Sequence, residues 1–360
     1  MQRRRKKLVN DFPIFVFLFD MQKRRKAVLL INVGTPDKAE VKAVRRYLSH
    51  FLNDGRVMDM PWLLKKLLVD LIIVPFRAPK STKLYQKLWT PEGSPLLLNM
   101  EKFATSLQSV LGEDYPIFTA MRYGNPSLKK TLQQIKKQNF DELIVFPLFP
   151  QYASSTTGTI LEFVMDRVKR WPVIPELHFI NQFYDHPEFV GAFTQNIAAC
   201  HPEEFDHIIF SYHGLPLRQV NKVHPGISSA KCLCEKQMPA YGSHCYKATC
   251  YETTRLIAGR LGLTEKQYSV SFQSRFSKNW LGPFTDERIT ALANEGIKKI
   301  LITVPSFVAD CLETLVEIEA GYSALFRKLG GDRLVLVKSL NNNEQWVKAA
   351  ACIIQTKNLK

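Results

Sequence analysis

In the segment Ile208-Ile209-Phe210-Ser211-Tyr212-His213-Gly214-Leu215-Pro216 an apolar run ends on a histidine and passes straight into a Gly/Pro turn. An imidazole changes charge near neutrality, so it suits proton transfer or metal contact. A histidine at the carboxyl end of a parallel strand also stands where open α/β sheets place their ligands. Further on, Asp310, Glu313 and Glu317 recur at spacings of three and four, which puts them on one side of a helix. A solvated helix face is the ordinary reading of such a stripe. These carboxylates, however, follow directly on an apolar run and Pro305, at a sheet edge, where their mutual repulsion would be relieved by a cation or by shared protons. They are read as a path for a metal ion inward or for protons outward.

The third chemical feature is cysteine. Four of the seven cysteines fall between positions 232 and 250, as Cys232-x-Cys234, Cys245 and Cys250. In a cytoplasmic chain such clustering points to metal ligation rather than to disulfides. Four thiolates suit either a [2Fe-2S] cluster or tetrahedral zinc, with His244 able to replace one of them. Plain packing is the alternative for Cys250, and Cys200, Cys311 and Cys352 are too scattered to complete the same site.

The elements that must position these groups are short apolar runs bounded by Gly, Pro and polar residues: 27–33, 117–121, 142–147, 207–211, 269–272, 300–304 and 333–337. Five to seven apolar residues without alternation suit strands buried on both faces, and the longer amphipathic stretches between them suit helices. The fold class is therefore α/β with parallel sheets. The strands are too many and too widely spread for one compact sheet, which predicts two similar Rossmann-like, doubly wound domains with the active site in the cleft between them. The break is placed at Trp171–Pro175, where WPVIP interrupts the pattern. That gives a basic tail (1–26) outside the fold and an N-terminal domain (27–172) onto which residues 340–360 pack back. The C-terminal domain (173–339) then carries the Cys-rich insertion (224–250). The turn after the first strand reads Asn32-Val33-Gly34-Thr35-Pro36, so there is no GxGxxG, and no Walker loop occurs anywhere.

The chain has 360 residues, 46% of them hydrophobic and 23% charged, which excludes disorder and a disulfide-stapled miniprotein. Nearly half of its net charge of +16 lies at the N-terminus, where residues 1–26 hold nine basic against two acidic residues. This distribution suits an anionic membrane surface or an acidic substrate and gives no reason to expect nucleic acid. The apolar run Phe12–Phe19 is too short for a signal peptide core followed by a cleavage site, and no stretch approaches the length of a membrane span. The protein is expected in the cytoplasm. Met21 opens MQKRRKAVLL much as Met1 opens MQRRRKK, so residues 1–20 are expected to be an upstream extension. The stretch Pro61–Lys80 is apolar but carries Lys65, Lys66, Asp70, Arg77 and Lys80. Beside the ordinary reading as a half-buried helix, it is read as an apolar lip that meets a membrane surface, its basic side chains snorkelling to anionic head groups.

The segment FSYHGLP resembles the signature of the ferrochelatases, and other segments match that family in order: Asn32–Pro36, Glu92–Pro95, Met121-Arg122-Tyr123, Pro150-Gln151-Tyr152 with Ser154–Gly158, Asn181–Tyr184, Phe272–Arg275, Trp280–Pro283 and Pro305–Leu315. The resemblance extends from residue 27 to about residue 350. It implies an enzyme, a lyase that inserts Fe2+ into protoporphyrin IX to form haem b with release of two protons. His213 would be the active-site histidine, and Glu313 its acidic partner across the macrocycle. The family's porphyrin contacts carry over to Val33, Arg122, Tyr123, Ser211 and Trp280, with the Arg122 fork on a propionate and aromatic rings against the macrocycle rim. Some bacterial members hold a [2Fe-2S] cluster on internal cysteines, which favours iron-sulfur over zinc for Cys232, Cys234, Cys245 and Cys250. Two departures stand out. Cys311 occupies the position two before the catalytic Glu, where many relatives have His, and Val33 replaces the Met or Tyr of relatives, which leans toward protoporphyrin. The alternatives are a coproporphyrin ferrochelatase or a cobalt chelatase. A noncatalytic tetrapyrrole or metal carrier is disfavoured by the presence of both His213 and Glu313.

Overall fold

A computed structural model describes residues 24–224 and 226–356; most of the basic tail, and with it the question of where the chain starts, lies outside them. The first half is built from β1 (Lys26–Gly34), α1 (Val41–Leu52) and a long helix that starts as α2 (Trp62–Leu67) and continues as α3 (Val74–Leu88). It goes on through α4 (Pro95–Leu111), β2 (Ile117–Tyr123), α5 (Leu128–Gln138), β3 (Glu142–Pro147), α6 (Thr159–Val168) and β4 (Glu176–Phe179). The second half contains α7 (Pro187–Ala198), β5 (His207–His213), α8 (Leu217–Asn221), α9 (Tyr246–Leu261) and β6 (Tyr268–Gln273). After these come α10 (Thr285–Asn294), β7 (Lys299–Thr303), α11 (Ser323–Lys328), β8 (Arg333–Leu336) and α12 (Glu344–Thr356).

The strands form two all-parallel sheets, ordered β2-β1-β3-β4 and β6-β5-β7-β8. Both sheets start in the middle and wind outward in the same order, so the second repeats the first, as the strand pattern predicts. Side chains alternate across each strand. Val28 and Leu30 of β1 and Ile208, Phe210 and Tyr212 of β5 turn into one continuous core, while Ala27, Leu29 and Ile31, and likewise Ile209, pack under separate outer helices.

That shared core fixes the two halves to each other. The C-terminal α12 lies on α4 and α7. Its Trp346 is fully buried, stacked on Phe103 of α4 at 5.4 Å and on Phe183 at 5.7 Å. The expected break at Trp171–Pro175 is corrected by β4, which follows it and pairs in parallel with β3. The first sheet thus runs to Phe179, and the chain crosses to the second sheet through α7.

Two local features shape the cleft. Gly34 has φ +123°, and a Cβ there would stand 1.7 Å from the Tyr123 carbonyl oxygen, so only glycine lets β1 turn beside β2. Between α2 and α3 the helix widens into a π-type turn over Leu68–Ile73. Pro75, which follows, cannot donate to the helical ladder and would crowd the carbonyl four residues back; the wider turn accommodates it.

Candidate active site

A cavity of about 1090 Å3 opens at the carboxyl ends of both sheets. It is bordered by the turns after β1 and β5, the helix 62–88, the loops after β6 and β7, and a π-type turn over Glu313–Tyr322. Ligand sites in open parallel sheets sit at this edge, where neighbouring strands send their connections to opposite faces. The volume is at the upper end of the range for small-molecule sites.

His213 ends β5, paired in register with Gln273, and lines the cavity. Its Nδ1 lies 2.6 Å from the Gly214 carbonyl oxygen. A carbonyl can only accept, so Nδ1 carries a proton, and in the neutral ring the lone pair is on Nε2. The ring sits 6.3 Å from both Trp280 and Phe307, and the Tyr246 hydroxyl donates to the His213 carbonyl at 2.9 Å. Glu313 and Glu317 line the same cavity. The Glu313 carbonyl accepts from Gln273 Nε2 at 3.0 Å, which ties the carboxylate's backbone to the strand beside His213. Glu317 is held by three donors: Ser274 N–H at 2.8 Å, Ser274 Oγ at 2.5 Å and Tyr322 Oη at 3.0 Å. Ser274 adopts φ +61° to aim both groups.

The family model for ferrochelatase matches residues 25–358. This chain belongs to the ferrochelatase family. It is 41% identical over 334 residues to the ferrochelatase of Legionella pneumophila (strain Lens), covering 92% of this chain and 98% of the relative. It is 44% identical over 332 residues to that of Coxiella burnetii (strain Dugway 5J108-111), covering 90% and 91%. Among solved structures, SirB from Bacillus subtilis with Fe3+ has the same fold, with TM-score 0.53 at 12% identity over 92% of this chain and 95% of SirB.

Against the family's pattern, the structure sorts the expected site residues into two groups. Val33, His213, Trp280, Glu313 and Glu317 line the cavity. Arg122, Tyr123, Ser211 and Asp310 do not, and each is engaged elsewhere. The Arg122 guanidinium lies 2.6 Å from Asp54 Oδ2, donates to Thr159 Oγ1 at 2.9 Å and stacks over Phe163 and Tyr123 at 4.6 and 4.7 Å. Tyr123 Oη donates to the same Asp54 oxygen at 2.8 Å. The fork expected to hold a propionate is therefore taken by a carboxylate of the protein.

Ser211 is fully buried, donates to Gln273 Oε1 at 2.8 Å and lies 2.9 Å from Thr285 Oγ1. Through Gln273 it connects to the Glu313 backbone. Asp310 is buried in the loop after β7, where Ser339 N–H and Asn341 Nδ2 donate to its carboxylate at 3.1 and 2.8 Å. It joins this loop to the one after β8, whereas Glu313 and Glu317 line the cavity. Cys311 lines the cavity, but burial, and after it the Glu313 charge, push its thiol up, so it stays protonated.

Several residues of the site leave no signal in the sequence. Tyr246, whose hydroxyl braces His213, is hidden beside Cys245. Tyr47 and Tyr85, whose hydroxyls burial holds protonated, sit on the cavity wall in helices that read only as amphipathic.

Proposed function

We propose that this chain is the ferrochelatase that inserts Fe2+ into protoporphyrin IX, with His213 as the proton acceptor and Glu313 facing the incoming cation. The observation that carries this is the tautomer of His213. With Nδ1–H committed to Gly214, the neutral ring carries its lone pair on Nε2, and His213 lines the cavity that a macrocycle would occupy. Metal insertion replaces two pyrrole N–H bonds by metal–nitrogen bonds, so two protons leave for each cation bound. Nε2 accepts them one at a time and passes each to solvent. Glu313 supplies negative charge that favours the cation at the macrocycle and offsets its lost hydration, while Glu317, held by Ser274 and Tyr322, stands one helical turn further along the same wall. Val33 and the Trp280 ring flank the porphyrin plane. The reading is tested by a side-by-side insertion assay with protoporphyrin and coproporphyrin: faster turnover of protoporphyrin supports it, and preference for coproporphyrin reassigns the substrate.

We infer further that the protein works in the cytoplasm at an inner-membrane surface. Among the described residues no helix is long and apolar enough to cross a membrane. The helix 62–88 nevertheless presents Trp62, Leu71, Ile72 and Phe76 at 55–74% exposure on the rim of the cavity. Phe276 is exposed on the facing loop, under the Arg77 guanidinium at 5.5 Å. Apolar area so concentrated marks an interaction surface. Protoporphyrin partitions into bilayers, so a cavity mouth that rests on lipid collects it without an aqueous step.

Binding to anionic vesicles is expected to weaken on raising salt from about 0.1 to 1 M, as the Debye length falls from about 10 to 3 Å. It should also weaken when Leu71, Ile72 and Phe76 are made polar. Co-sedimentation measures both, and equal binding to neutral and anionic vesicles removes the electrostatic part. Leu68 and Ile73 are only partly exposed and are poorer targets than the pattern of apolar residues suggests.

The expected [2Fe-2S] cluster on Cys232, Cys234, Cys245 and Cys250 does not fit. Cys250 is fully buried within α9 beside Tyr246, and the thiols of Cys234 and Cys245 converge with an imidazole instead.

A further inference from the structure

The Cys-rich insertion brings together a donor set different from the one its cysteine count suggests. His224 Nε2 lies 2.8 Å from Cys245 Sγ, and Cys234 Sγ lies 3.9 Å from the same sulfur. The three ligand atoms all fall within 4.8 Å of one another, and all three residues are buried. Cys232 sits beside Cys234, its thiol turned to the Ser229 carbonyl at 3.2 Å. His224 Nδ1 lies 3.1 Å from the Ile227 carbonyl oxygen, so Nδ1 is the protonated nitrogen and Nε2 is free to act as a ligand.

From this geometry we propose that His224, Cys234 and Cys245, closed by Cys232, form a structural site for a single tetrahedral divalent ion of the zinc type. Zinc–sulfur and zinc–nitrogen bonds of about 2.3 and 2.0 Å place neighbouring tetrahedral ligand atoms about 3.5–3.8 Å apart. The thiol pair at 3.9 Å already matches that, and the imidazole needs only to move outward as an ion enters. A two-iron cluster needs its ligands divided between two centres, whereas these atoms surround one point. Cys232 completes the tetrahedron by turning from the Ser229 carbonyl. The mixed thiolate and imidazole set suits zinc by its softness.

The ion also has something to hold. Between His224 and Cys245 the described residues form only two single-turn 3-10 helices, Leu233–Glu235 and Gly242–His244. An ion pair at 2.6 Å between the buried Lys247 and the exposed Glu235, and the bond from Ser229 N–H to Asn221 Oδ1, are among its side-chain ties. The segment follows α8, whose Leu217, Arg218 and Gln219 line the cavity, and leads into Tyr246, which hydrogen-bonds the His213 carbonyl. An ion at this point would staple the wall behind the catalytic histidine.

Purified protein should contain one zinc per chain by elemental analysis, with no acid-labile sulfide. Exchange with Co2+ should give the intense visible bands of a tetrahedral thiolate site. His224→Ala and Cys234→Ser should each abolish tight metal retention after dialysis, while Cys250→Ala keeps it. Protein that holds only iron with sulfide, a Cys234–Cys245 disulfide in freshly isolated protein, or no retained zinc each overturns the proposal. So does metal loss in Cys250→Ala at full retention in His224→Ala. Because the readout is bound metal, not porphyrin turnover, failure here is distinguishable from failure of the His213 mechanism.

Discussion

His213→Ala should lower the rate of metal insertion by about 10²–10⁴-fold, the usual contribution of a positioned general base, while protoporphyrin still binds. The separation of the two effects follows from where the bonds are. The Tyr246 hydroxyl binds the His213 carbonyl, a backbone group that alanine retains, so the end of β5 keeps its brace. Contact between His213 and the Trp280 and Phe307 rings is peripheral at 6.3 Å, and its loss leaves the aromatic wall in place. Zinc insertion followed by fluorescence gives the rate, and quenching titration with protoporphyrin gives the affinity. A rate within twofold of the parent would remove His213 from the mechanism, and a parallel collapse of affinity would make it a binding residue.

Much of this site is legible in the sequence because its residues lie at strand ends. An apolar run that stops on His213 and turns through Gly214 and Pro216 specifies both a buried strand and the side chain at its mouth, since strand, turn and site are local in sequence. Seven of the eight described strands announce themselves in the same way. The eighth, β4, reads Glu-Leu-His-Phe, one exposed and three part-buried residues on a sheet edge, and without a continuous apolar run it is indistinguishable from loop. That is why the domain break falls later in the structure than WPVIP suggests.

Partnerships over long separations are illegible for a different reason. Arg122 meets Asp54 across 68 positions, and Asp310 meets Asn341 across 31; an arginine near a cleft and a carboxylate in an acidic stripe look the same whether they face a ligand or the protein. The cysteine cluster misleads in a third way. Counting thiols favours Cys250, which the α9 helix carries into the core, and passes over His224, which the chain folds back to Cys245 over 21 residues. Spacing rules for metal sites find ligands on regular turns, and this insertion has few.

Arg122→Ala is expected to destabilise the fold by about 3–5 kcal/mol, because it leaves the Asp54 carboxylate buried without its cation. Side-chain exposures of 16% and 8% leave this ion pair partly buried, and removing one partner then costs more than the pair contributes. Burial alone pushes the Asp54 carboxyl up. Hydrogen bonds from Thr159 and the Arg56 N–H, the Arg122 charge and the Tyr123 hydroxyl outweigh it, and the net direction is down.

A carboxyl depressed on folding stabilises the protein above its unfolded pKa of about 3.9, and that contribution is lost only as pH falls through the lower folded value. With Arg122 gone, one of the groups that lower Asp54 is lost, and its folded pKa moves up toward the unfolded value. The stability that the depressed carboxyl contributes above its unfolded pKa is then smaller in the variant, while at low pH, where both proteins are protonated at Asp54, this difference vanishes. Denaturation of the two proteins at about pH 3 and pH 7 should therefore show a larger deficit for the variant at pH 7. Replacing Asp54 by leucine and Arg122 by methionine together should recover most of the loss, since no buried charge remains. Protoporphyrin affinity of the folded variant should be unchanged; a loss of affinity at undiminished stability would return Arg122 to the propionate-binding role that its motif suggests.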